Sequence, residues 1–170
     1  MLDVTEDTEE RDDGAPIEVL EQYFEARGWA CERTGEGEIV ASAPGSWAQY
    51  ELRGVWRPED AVLQFLTFPD IKVGPEKRSA IYETLGLINE QLWLGHFEMW
   101  SGSGLVVFRH ATILDTRDSE GLSLEQAEAI AEAAMEECER FYPVFQFVLW
   151  ADKTPQEAIA AALIETQGEA

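Results

Sequence analysis

Positive charge is scarce in this chain. Twelve Lys and Arg stand against 34 Asp and Glu, a formal net charge of −22 over 170 residues. Such a surface repels nucleic-acid phosphates and anionic lipid headgroups, so neither a nucleic acid nor a membrane surface is expected as a partner. Cysteine is nearly absent. Cys31 and Cys138 lie far apart, outside any CxxC or Cys/His ligand spacing. Two buried thiols in a reducing compartment are expected, rather than a disulfide framework. No uninterrupted apolar run reaches the roughly 18 residues that would span a bilayer. The opening MLDVTEDTEERDDGAP lacks the basic-then-apolar order of a secretory signal. The expected location is the cytoplasm.

The short motifs of catalysis are missing as well. SGSG at 101–104 fits neither GxxxxGK[ST] nor GxGxxG, and an apolar strand follows it where a phosphate loop needs a helix. No GxSxG marks a nucleophile. Carboxylates are abundant, yet nothing singles out one pair for acid–base work. Neither enzyme activity nor a cofactor is expected.

What is present is a globular composition, 45% hydrophobic and 11% aromatic. A chain of this length buries roughly 70% of its unfolded surface without metal or disulfide staples. Residues 1–15 hold seven acidic side chains and one arginine, which reads as a solvated tail. Residues 16–168 then read as one domain.

Within it, Ile17, Leu20, Tyr23 and Phe24 recur at helical spacing over 16–27, with Gly28 as C-cap. WACERTGEGEIVASAPG resembles a hairpin, WAQYELRGVWR alternates as a strand, and AVLQFLTF is apolar enough for a strand covered on both faces. Pro75 opens a second helix, expected to run through Ile81, Leu85, Ile88 and Leu92 to near Gly95. HFEMWSGSGLVVFRHATIL forms a second hairpin. Ser123 with Gln126, and Thr154 with Pro155 and Glu157, start two last helices by capping-box logic. The fold class is α+β. An antiparallel sheet is flanked by helices in the order α-β(3–4)-α-β-β-α-α.

His96 and His110 sit on the two arms of the second hairpin, with Glu98 nearby. The register that pairs Phe97 with Phe108 and Met99 with Val106 keeps one face apolar. It sets His96 opposite Arg109 and sends His110 to the other face. A metal site is therefore not expected. His96, Glu98 and Arg109 remain a polar cluster, on which a small enzyme or ligand binder is the alternative reading.

ERFYPVFQFVLWADK at 139–153 is the densest aromatic stretch. Pro143 should kink or restart its helix. The rings cover an arc wide enough for a helix buried against a sheet and a further element. Core is the favoured role, with a subunit or partner interface in addition.

The segments LINEQLWLGHFEMW, VVFRHATIL, ECERFYPVFQFVLW and TPQEAIAAAL resemble the YbjN-domain family of bacterial sensory transduction regulators, and within it the alphaproteobacterial branch. The resemblance covers roughly residues 16–168. It implies a fold similar to type III secretion chaperones, which often dimerise and bind extended protein segments, and it carries no catalytic residues to transfer. The resulting expectation is a non-enzymatic protein-binding regulator or chaperone-like adaptor, with a homodimer among the candidate assemblies. Trp93, Trp100, Phe145, Phe147 and Trp150 are the candidate partner contacts wherever they are not fully buried.

Overall fold

The structure, a computed structural model, describes residues 15–115 and 121–167. The stretch read as an acidic tail lies outside them apart from Ala15. The elements run α1 (Ala15–Ala26), β1 (Ala30–Gly35), β2 (Glu38–Pro44), β3 (Gln49–Arg57), β4 (Val62–Phe68), a 3-10 turn (Pro75–Lys77), α2 (Arg78–Asn89), β5 (His96–Met99), β6 (Val106–Ile113), α3 (Leu124–Trp150) and α4 (Pro155–Gln167). The six strands form one antiparallel sheet in the order β1-β2-β3-β4-β6-β5. This is the expected α+β architecture.

Alternation along the strands sends Ile39, Leu52, Trp56, Leu63, Phe65, Phe97, Val106 and Phe108 to one face. The helices contribute their apolar stripes to the same core: Ile17, Leu20 and Phe24 from α1, Ile81, Leu85 and Ile88 from α2, and Ala134, Cys138, Phe141 and Phe145 from α3. Phe97 meets Phe108, Phe141 and Phe145 edge-on, with centroids 5.1–6.0 Å apart, the geometry that ring quadrupoles favour. Close approach of α1 to the sheet requires Gly54, where a Cβ would fall 2.4 Å from Leu20 Cδ1. A side chain there would force Leu20 and Ile39 to repack.

The caps follow the sequence. Gly28 has φ +73°, and the bonds Gly28 N to Glu25 O and Trp29 N to Phe24 O close a Schellman motif after α1. Ser123 and Gln126 bond reciprocally at the start of α3, as do Thr154 and Glu157 at the start of α4.

Two expectations are corrected. The second helix ends at Asn89, short of Leu92 and Gly95. The Asn89 side chain accepts from Phe97 N at 2.8 Å and donates to Phe97 O at 2.9 Å. That amide stands in for a neighbouring strand on the outer edge of β5, so the chain turns out of the helix there. Of the two alternatives expected at Pro143, a kink or a restart, the restart does not occur: the third helix is continuous to Trp150. A helix-interior proline costs about 3 kcal/mol. Phe141, Tyr142, Val144 and Phe145 are all buried around it, and burial of such side chains contributes about 1.5–3 kcal/mol each. The β2–β3 loop adds a brace: Trp47 stacks on Tyr142 with centroids 5.8 Å apart, and Ser46 N donates to Glu139 Oε1 at 2.6 Å. Packing on both sides of the proline therefore outweighs the lost bond.

Candidate functional site

The five aromatic candidates divide by environment. Phe145 is 1% exposed and belongs to the core, so the condition of incomplete burial fails for it. Phe147 is half-buried against the core, with the Lys153 ammonium 5.7 Å from its ring centroid. Trp100 is half-buried on the opposite face of the sheet. Only Trp93, 99% exposed, and Trp150, 65% exposed, project freely.

Local constraints explain both projections. The loop from α2 to β5 is pinned at one end by the Asn89–Phe97 clamp. At the other end is Gly95, with φ +68°, where a Cβ would meet Phe108 Cζ at 2.6 Å. A short loop so tethered pushes its apex, Trp93 and the 60% exposed Leu94, outward. Trp150 ends α3 just before Asp152, which takes a left-handed φ of +51° and pairs with Lys77.

The second hairpin has the expected register, His96 opposite Arg109, Phe97 opposite Phe108 and Met99 opposite Val106. His96, Glu98 and Arg109 do converge. Glu98 Oε1 accepts from Arg109 Nε at 2.9 Å, from Arg109 Nη2 at 2.5 Å and from Trp100 Nε1 at 2.9 Å, while Oε2 lies 3.2 Å from His96 Nε2. Arg109 Nη1 reaches across to Gln64 Oε1 at 2.8 Å. Burial pushes the Glu98 pKa up, but hydrogen bonds from Arg109, Trp100 and His96 and the charge of Arg109 outweigh it, leaving the carboxyl below its usual range. The cluster's donors and acceptors thus satisfy one another, as in a structural ion pair. His110 is on the other face, bonded to Thr112 Oγ1 at 3.0 Å. Burial lowers its pKa.

Beneath this network lies a second small apolar cluster that the sequence pattern did not resolve. Leu66, Phe68 and Val107 are buried on the face away from the helices, with Trp100 and Leu105 packed over them. The Trp100 ring meets Phe68 edge-on at 5.2 Å, and the Arg53 guanidinium lies over Phe68 at 5.0 Å. The nearly all-apolar run of β4, broken only by Gln64 and Thr67, was the available signal. Its second cover consists of side chains from the sheet itself rather than another layer.

The same face over β1, β2 and β3 is a wide open depression of about 660 Å³, lined by Glu32, Glu38, Val40, Ser42, Glu51 and Arg53 among others. Cys138 is buried, and its thiol pKa is raised by burial and by Glu139 and Glu137. Cys31, expected to be buried, is only half-buried, and burial followed by Glu25 and Glu21 raises its pKa. Neither thiol is primed as a nucleophile. Among the described residues, no group of three His, Cys, Asp or Glu is placed to hold a metal ion, and no helix is long and apolar enough to cross a membrane.

A family model for YbjN, described as "Putative bacterial sensory transduction regulator", matches residues 16–147. The chain belongs to the YbjN family. The match stops at Phe147, before the last turn of α3 and all of α4, whereas the resemblance read from the sequence extended to residue 168. Solved structures similar to this YbjN-family chain include the following two. One is YbjN from E. coli, described as "a putative transcription regulator": 13% identity, TM-score 0.51, covering 72% of this chain and 85% of that one. The other is a chain of the ExsC–ExsE complex: 17% identity, TM-score 0.54, covering 75% of this chain and 92% of that one. At such identities the likeness is one of fold, here type III secretion chaperone-like. No curated protein matches the chain significantly in sequence.

Proposed function

We propose that this YbjN-family protein is a non-enzymatic, cytoplasmic regulator that works by binding another protein, in the manner of an adaptor or chaperone. The observation that carries this reading is the fully exposed Trp93 beside Leu94, held at the apex of a tethered loop, with Trp150 exposed elsewhere. Large aromatics that contribute nothing to their own core are the side chains most often found as interface anchors. The mutual saturation of His96, Glu98 and Arg109 argues for a structural role there rather than an enzymatic one. The net charge of −22 favours protein over nucleic acid. A solved neighbour that is itself a complex of two proteins supports the same direction.

The test is affinity purification from the source bacterium with mass spectrometry, comparing the natural chain with a Trp93→Ser, Trp150→Ser variant, alongside sedimentation of both. Expected is a protein, or a second copy of the chain, held by the natural form and lost from the variant at unchanged thermal midpoint. Recovery of no protein by either form, with both sedimenting as monomers, would overturn the proposal, and equal recovery of one partner by both would refute Trp93 and Trp150 as its contacts.

A further inference from the structure

The geometry points to the trough over β1, β2 and β3 as the seat of an extended basic segment of a partner protein, one with Lys or Arg at alternate positions. This rests on the protein-binding reading above and specifies the partner's chemistry.

Register builds the trough. Glu32, Val40 and Arg53 lie abreast on the uncovered face, with Ala30, Ser42 and Glu51 in the next row. Short side chains at Ala30, Val40 and Ser42 make the floor, and longer ones stand around it. Charge then separates the acids into two groups. Arg53 pairs with Glu51 at 2.9 Å and rests on Phe68, so Glu51 is compensated. Arg33, the nearest cation in sequence to Glu32, bonds Glu21 of α1. Glu32 and Glu38 have no cationic partner among the described residues. They flank Val40 diagonally, Glu32 across from it and Glu38 two residues before it. Diagonal neighbours of this kind lie about 7–8 Å apart.

An extended chain repeats its side chains on one face every two residues, about 6.8 Å. Cations at i and i+2 therefore match the two carboxylates, and their aliphatic stems can lie on Val40. The same pair of charges repels acidic segments, which gives the trough selectivity of sign.

The experiment is amide-resolved NMR titration of the full chain with the synthetic peptide Ser-Thr-Lys-Thr-Lys-Thr-Ser and with its glutamate counterpart. Expected are shifts confined to β1, β2 and β3 with the lysine peptide and none with the glutamate peptide. Replacing the exposed Glu32 and the half-buried Glu38 together, as Glu32→Gln with Glu38→Gln, should weaken binding about five- to tenfold. Glu132→Gln with Glu136→Gln, an equal change of net charge on α3, should alter it less than about twofold. The amide spectra of the variants themselves report that the fold is kept. Equal weakening by both pairs, shifts spread over α3, or no binding of the lysine peptide would overturn the inference. A cellular partner recovered equally by the natural chain and by the Glu32/Glu38 variant would refute the trough and leave the protein-binding proposal standing. Lysine-peptide binding in the trough with no protein partner recovered would do the reverse.

Discussion

The two halves of the uncovered sheet face share one register and finish differently. Over β4, β6 and β5, Leu66, Phe68 and Val107 are closed in by Trp100, Leu105 and Arg53, and the charges Glu98 and Arg109 neutralise each other. Over β1, β2 and β3 the floor is made of short side chains, and the carboxylates of Glu32 and Glu38 have no cationic partner among the described residues. An aromatic on an open strand is therefore a poor guide to a docking site by itself. Trp100 acts as a roof, whereas Trp93, on a loop with nothing beneath it, covers nothing in the described structure.

Substitutions can break this comparison, beginning with the largest effect. Phe145→Ala should cost about 3–5 kcal/mol by removing a fully buried ring from the centre of the core. Trp93→Ala should stay within about 0.5 kcal/mol. Urea denaturation of the two variants reads the contrast directly, and equal costs would mean that Trp93 packs on something after all. Trp100→Ala should cost about 2 kcal/mol, because it uncovers Phe68 and takes a donor from Glu98. A value as small as that of Trp93 would show the roof to be ornamental.

Glu98→Gln should cost about 1–3 kcal/mol, since it leaves the part-buried Arg109 without its charge partner. The folded Glu98 pKa lies below the ordinary value of 4.5. Its stabilisation is therefore present above about pH 4.5 and lost as the pH falls through the folded value. Acid titration of stability should be shallower in this range for the Gln variant. His110 gives a smaller effect at higher pH. Burial depresses its folded pKa below 6.5, so the unfolded chain binds the proton first. Stability should decline as the pH drops from about 6.5 toward the folded value. His110→Gln should flatten that slope, and an unchanged slope would place its origin elsewhere.

Much of the fold was legible because local rules and the global pattern agree. The two capping boxes, the Gly28 stop and the Phe97–Phe108 register each follow from residue types at fixed offsets. Pro143 misled because propensity is local, whereas the helix is held by tertiary packing on both sides. The end of α2 misled for a similar reason: an apolar stripe continues through Leu92, but the Asn89 side chain is bonded to Phe97 of β5, eight residues further on. Phe145 lies in an aromatic stretch that suits core and interface alike, and only the packing of α3 against the sheet assigns it to the core. The trough was not legible, because it depends on which cations are already taken, and Arg53 and Arg33 are engaged by Glu51 and Glu21 only once the sheet is folded.

The most direct test places a photo-cross-linking amino acid, one position at a time, at residues 93, 150 and 100 in the living source bacterium. A discrete higher-mass adduct is expected from positions 93 or 150 and none from position 100, where the side chain closes the protein's own surface. Adducts from position 100 alone, or from none of the three, would contradict that expectation.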